Sequence, residues 1–107
     1  MAVSPAVAEV EAVLTALGDP TRRRTFELLA ERGPTTATAL APMLDISRQA
    51  VAKHLTVLAD GGLAVSERVG RETQYRAVPD RLDLLVAWSD RTRTLWSRRL
   101  DRLADLD

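Results

Sequence analysis

The apolar positions keep one rhythm over the first sixty residues, break it, and resume it near the end. Val7, Val10, Val13, Leu14 and Leu17 recur at the spacing that lines one face of a helix. Ser4 with Pro5 behind it supplies an N-cap and a proline at the first helical position, and Gly18 ends the segment. Asp19-Pro20 repeats the start signal for a second helix, which carries Phe26, Leu28 and Leu29 and runs to Gly33-Pro34. Thr35, Thr36 and Ala37 form a short extended link. Thr38 is placed to cap a third, short helix with Leu40, Met43 and Leu44. Pro42 falls near the first turn of that helix and removes one early hydrogen bond. Asp45-Ile46 make a tight turn. Ser47 then caps a fourth helix, and Gly61-Gly62 close it.

After Leu63 the segment "LAVSERVGRETQYRAV" is rich in Val and Thr and alternates with period two, which predicts a β-hairpin turning near Gly70. From Pro79-Asp80 onward the helical rhythm returns and persists to the end. Such a helix spans about 40 Å at ~1.5 Å per residue, too long to pack entirely on a small domain. A short helix, a tight turn and a longer helix followed by a two-stranded wing is a winged helix-turn-helix. The expectation is one mainly α domain over residues 1–107 with a small hairpin. Segments 4–18 and 80–105 are expected to pair two copies into a homodimer, 38–58 to form the helix-turn-helix, and 63–78 the wing.

The fourth helix has two unlike faces. With Val51 at the origin and about 100 degrees per residue, Leu55 and Leu58 fall within about 40 degrees of it and form a core face. Gln49, Ala52, Lys53, Thr56 and Asp60 fall opposite, and Arg48 and His54 lie at the borders. Arg or Lys can reach phosphate or guanine, Gln can pair with adenine, and Ala52 is small enough to approach a thymine methyl. This face carries no acid before Asp60. It suits a helix entering a major groove N-terminus first, with its dipole favouring a nearby phosphate. A plain solvated face is the alternative.

Composition changes this picture little. Lys plus Arg and Asp plus Glu are 15 each, so the formal net charge is zero and bulk charge offers no support for nucleic acid. Residues 47 to 78 hold Arg48, Lys53, Arg68, Arg71 and Arg76 against Asp60, Glu67 and Glu72, a small local excess. The chain has no cysteine, hence no disulfide and no thiolate metal site. Its single histidine, His54, is a poor metal site alone, because zinc wants three or four ligands. "MAVSPAVAEV" lacks the pattern of a signal peptide, and no stretch approaches the ~20 apolar residues of a membrane span, so a cytoplasmic protein without membrane contact is expected.

The segments "ALGDPTRRRTFELL", "LAPMLDISRQAVAKHLTVLADGGLAV" and "RVGRETQYRAV" resemble the ArsR/SmtB-type winged-helix transcription repressors. The resemblance covers roughly residues 12 to 78, with a compatible last helix, and its most specific part is the run S-x-x-x-V-x-K-H-L-x-x-L-x-x-x-G-L. It implies that the segment from Ser47 to Leu58 is a recognition helix, that the hairpin is a wing, and that the first and last helices form a homodimer. The family often has Ser at the position of Ala52 and Gln at that of Arg48, so an operator sequence does not transfer. Many members sense metals through cysteines near the recognition helix, or through His and carboxylate clusters on the dimer helices. This chain lacks both, which implies a repressor without the usual metal switch and without a cofactor. Any effector is left open: a small apolar molecule, a partner protein, or none.

The expected partner is double-stranded DNA, bound as an imperfect palindrome by a dimer that blocks transcription, its own promoter included. Expected DNA contacts are Ser47, Arg48, Gln49, Ala52, Lys53, His54, Thr56 and Arg71, with Arg48 and Gln49 reading bases and Lys53, Thr56 and Arg71 positioning the backbone. Arg71, at the hairpin turn, is better placed for this than Arg68 or Arg76, and Tyr75 is expected to pack beneath the wing. Arg22, Arg23 and Arg24 oppose the dipole of the second helix. They suit either an anion site or pairing with Asp19, Glu27 or the dimer partner. Val10, Leu14, Leu85, Trp88, Thr92, Leu95, Trp96 and Leu103 are expected at the dimer interface, the last six on an approximately heptad stripe. No activated nucleophile, carboxylate pair or glycine-rich phosphate loop follows from the sequence, so an enzyme is not expected. The rival functions are a winged-helix protein-interaction module and a ligand- or metal-responsive sensor.

Overall fold

The computed structural model describes residues 5–105. The expected cap at Ser4 lies outside them. Helix α1 covers Pro5–Leu17 and α2 covers Pro20–Arg32. Asp19 starts α2 in extended geometry, and its carboxylate accepts the N–H of Arg22 at 2.9 Å. Gly33 closes it by donating to the carbonyl of Leu29 at 3.0 Å.

Helix α3 covers Ala37–Leu44, and its cap is Thr36 rather than Thr38. Thr36 is extended at φ −114° and ψ 161°, and its hydroxyl accepts from the N–H of Ala39 at 3.1 Å. The helix therefore starts ahead of the expected position, and Pro42 sits in its interior rather than its first turn. Two residues after the proline α3 ends at Leu44, and Asp45 caps it in a left-handed conformation (φ 54°) that Asp tolerates better than most side chains. Helix α4 covers Arg48–Asp60, capped by the hydroxyl of Ser47 on the N–H of Ala50 at 3.1 Å. Beyond it Gly62 stands at φ +78°, and a Cβ there would run into the side chain of Arg81.

Strands β1 (Ala64–Val69) and β2 (Glu72–Ala77) pair antiparallel around Gly70-Arg71. Only the first turn residue has positive φ, +61° at Gly70, as a type II′ turn requires. The N–H of Val78 donates to the carbonyl of Leu63 at 2.8 Å and closes the base of the wing. Thr35 forms a bridge with Tyr75 on the other edge of β2, so the link between α2 and α3 acts as a one-residue third strand. A single 3-10 turn, Pro79–Arg81, leads into α5 (Leu82–Ala104).

The core lies between the first four helices and the base of the wing. Val13, Ala16, Phe26, Leu29, Leu40, Leu63 and Ala64 surround Val51, Leu55 and Leu58, and the last three are 0% exposed. Thr25 is the buried polar side chain of this cluster's surroundings, and it is satisfied by the carbonyl of Thr21 at 2.8 Å. Leu82 and Leu85 attach the start of α5 to the core. From Asp90 through Asp105 every residue is exposed. The radius of gyration is 18.1 Å and the longest dimension 67 Å, whereas a compact chain of this length has a radius near ~13 Å. The excess is the overhanging part of α5.

Candidate nucleic-acid interface

Three core leucine and valine contacts fix how α4 is rotated. With Val51, Leu55 and Leu58 sealed inward, Gln49, Lys53 and Thr56 are exposed on the far side. Among the described residues no other element covers that side. Lys53 is the only lysine of the chain. The oxygen of Ser47 is occupied as the helix cap, which leaves its hydroxyl hydrogen to donate. The hydroxyl of Thr56 already donates to the carbonyl of Ala52 at 3.0 Å, so in this rotamer it offers a phosphate no hydrogen. That runs against the expected backbone-positioning role of Thr56. Arg48 and Ala52 turn toward the wing and away from Gln49. They help line a cleft of about 500 Å³ between α4, the start of α3 and the hairpin.

The strand register decides which wing residues face that cleft. Arg68 pairs with Thr73, Ser66 with Tyr75, and Ala64 with Ala77. Side chains alternate across a strand, so these share one face. Buried Ala64 and core-packed Tyr75 identify it as the inner one. Arg68 therefore lines the cleft, joined by Arg71 from the turn. Arg76 belongs to the opposite face with Val65 and Glu67. The sequence reading favoured Arg71 and missed Arg68. Counting back from a two-residue turn at Gly70-Arg71 would have found it.

His54 is half-buried on the other border of α4. It is close enough to Asp19 to help lower that carboxyl, though by less than the N–H of Arg22 lowers it and by less than burial raises it. His54 thus looks toward the start of α2 and is a weaker DNA candidate than expected. Arg22 and Arg23 are structural. Arg22 donates through Nε to the carbonyl of Ala16 and through a terminal nitrogen to that of Thr15 at 2.9 Å. Arg23 reaches the carbonyl of Leu17 at 2.8 Å. Both cations cap the negative end of α1, where the helix dipole favours them. Arg24 pairs with Glu27 and Glu31 at 3.3 and 3.5 Å.

On α5, Trp88, Leu95, Trp96 and Leu103 stand open, Leu95 at 64% and Trp96 at 58%. With Leu85 and Thr92 they lie within an arc of about 100 degrees. The hydroxyl of Thr92 turns back to the carbonyl of Trp88 at 2.9 Å. Leu14 of α1 is also open, but Val10 is only 6% exposed in the single chain and has little left to offer a partner. Leu85 likewise packs mainly on its own core. Among the described residues no helix is long and apolar enough to cross a membrane, and no group of three or more His, Cys, Asp or Glu could hold a metal ion.

A family model described as a helix-turn-helix domain matches residues 17–67, from the end of α1 into the wing. The chain is 45% identical over 67 residues to the uncharacterized HTH-type transcriptional regulator YuzN of Bacillus subtilis strain 168, covering 57% of this chain and 73% of that protein. Among solved structures, an ArsR-like transcriptional regulator from Rhodococcus sp. RHA1 superposes with a TM-score of 0.80 at 39% identity, over 92% of each chain. The homodimeric winged helix-turn-helix DNA-binding domain Mb0332 from Mycobacterium bovis, described as a possible ArsR-family regulator, shares the fold at a TM-score of 0.67 and 24% identity, covering 87% of this chain and 91% of that one. The outward face of α4, the hairpin beside it and these likenesses agree: the chain belongs to the ArsR/SmtB-type family of winged helix-turn-helix transcriptional regulators, which bind DNA and are not enzymes.

Proposed function

We propose that the protein is a homodimeric repressor that binds an imperfect palindrome, including one at its own promoter, and acts in the cytoplasm. The observation that carries the DNA geometry is the rotation of α4, which seals Val51, Leu55 and Leu58 and leaves Gln49 and Lys53 open. Gln49 reads a base edge in the major groove, and Lys53 and Arg71 hold phosphates. The dimer is supported by the overhang of α5 with its open Trp88, Leu95, Trp96 and Leu103, which a second copy would cover. It is also supported by the homodimer described for the Mycobacterium bovis relative. Two recognition helices held about one DNA turn apart, ~34 Å, would occupy successive major grooves and exclude polymerase. The residues present do not fit the family's metal switches, since the chain has no cysteine, its lone His54 lies on α4, and no group of three or more possible ligands stands together among the described residues.

The test is selection of bound duplexes from a random pool, followed by affinity measurements over a salt series. Two half-sites about 10 base pairs apart with a steep negative salt slope are expected. Enrichment of single half-sites, or of nothing, would overturn the palindrome reading.

A further inference from the structure

We propose, on the basis of the DNA-binding reading above, that the cleft between α4 and the wing seats one DNA phosphate between Arg48 and Arg68. Arg48 then positions the duplex backbone instead of reading a base. Arg48 lies about 100 degrees around α4 from Gln49, so the two cannot address the same part of a groove. When Gln49 faces the base edges, Arg48 faces the strand that walls the groove. Arg68 comes to the opposite side of the same cleft because the hairpin register puts it on the inner face, beyond buried Ala64 and core-packed Tyr75.

The chemistry of the cleft selects an anion. Among the described residues Arg48 has no ion-pair partner, and the one bond of Arg68 runs from Nε to the carbonyl of Gly70 at 3.3 Å. Two guanidinium groups lining one cleft repel, and an anion held between them offsets that repulsion. Their planar forks match the oxygens of a phosphodiester. Ala52, Ala37 and Ala39 line the same cleft and leave room for the anion, beside the hydroxyl-bearing Thr38 and Thr73. Glu72 is the one acid on the walls, and the adjoining Arg71 gives the cleft three cations against it. The site is thus net positive, and Glu72 weakens its hold.

The experiment uses the full chain and its Arg48→Ala, Arg68→Ala, Glu72→Gln and Arg76→Ala variants, each checked for an unchanged circular dichroism spectrum. All are taken through the same random-pool selection and then measured on the parent's selected duplex. Arg48→Ala and Arg68→Ala are expected to select the parent's sequence and to bind it roughly tenfold more weakly, with the salt slope lowered by about one in total when both are removed, because they share one phosphate. Glu72→Gln should tighten binding, and Arg76→Ala on the outer wing face should change nothing. A duplex with one neutral methylphosphonate per half-site, walked along the strand, should show one position that weakens the parent and not the Arg48→Ala/Arg68→Ala double variant. The clamp is overturned if Arg48→Ala relaxes the choice of one base while keeping the slope, or if neither arginine variant changes affinity. If the parent enriches no duplex at all, the regulator reading itself falls, an outcome separate from either of these.

Discussion

Thr35 and Tyr75 exchange both backbone hydrogen bonds, Tyr75 N–H to the Thr35 carbonyl at 2.7 Å and Thr35 N–H to the Tyr75 carbonyl at 3.1 Å. One residue between α2 and α3 thereby anchors the outer edge of the wing. Thr73 lies two residues back along β2, so its N–H leaves the same edge, beyond the reach of that bridge. In native-state hydrogen exchange the Tyr75 amide should be protected and the Thr73 amide should exchange fast. Equal rates would mean that the wing is not anchored by this bridge.

The same bridge holds Thr35 extended and hands the cap of α3 to Thr36. Thr36→Ala should lower stability by about 1 kcal/mol, whereas Thr38→Ala, which removes no cap, should stay within about 0.5 kcal/mol of the parent. Chemical denaturation of the two variants decides it.

Arg22 holds the end of α1 through two carbonyls. Arg22→Ala should cost about 1 kcal/mol, less than the ~1.5–3 kcal/mol of charged hydrogen bonds because the group is partly solvated. It should leave the salt slope of DNA binding unchanged. A lowered slope would restore Arg22 to the DNA interface.

Asp19 has its carboxyl held below the usual value of 3.8 by the N–H of Arg22. A lowered folded-state pKa stabilises the native chain fully above 3.8 and loses that contribution as pH falls toward the lowered native value. Asp19→Asn keeps a capping side chain without the charge. The gap in Tm between parent and variant should be constant at neutral pH and close on acidification below the ordinary carboxylate range. A gap independent of pH down to acid unfolding would contradict this role.

Trp96 and Val10 separate the proposed dimer surface from the core. Trp96→Ala should weaken self-association by about 2 kcal/mol or more, roughly thirtyfold, read by sedimentation equilibrium. Val10→Ala should lower Tm while leaving the dimer dissociation constant near that of the parent, because Val10 is buried within one chain.

The order of elements and the rotation of α4 were legible in the sequence, since both follow from local periodicity and capping residues. The turn at Gly70 was equally plain. The cap of α3 was not, because Thr35, Thr36 and Thr38 have near-equal capping propensity and the choice is made by a bond to Tyr75 far along the chain. The partners of Arg22 and Arg23 depend on how α2 meets the end of α1, an angle that no local pattern encodes. Val10 and Leu14 share the periodicity of one helix, and only tertiary packing says which of them is already covered.

Lys53 is the chain's single lysine and stands open on α4. Apart from the terminal amino group, it is the one primary amine an acylating reagent can find. A dye or a photocrosslinker delivered through that amine would report from within the proposed groove-facing surface without any engineered attachment point. Bound DNA would shield the amine, so the extent of labelling would itself measure occupancy.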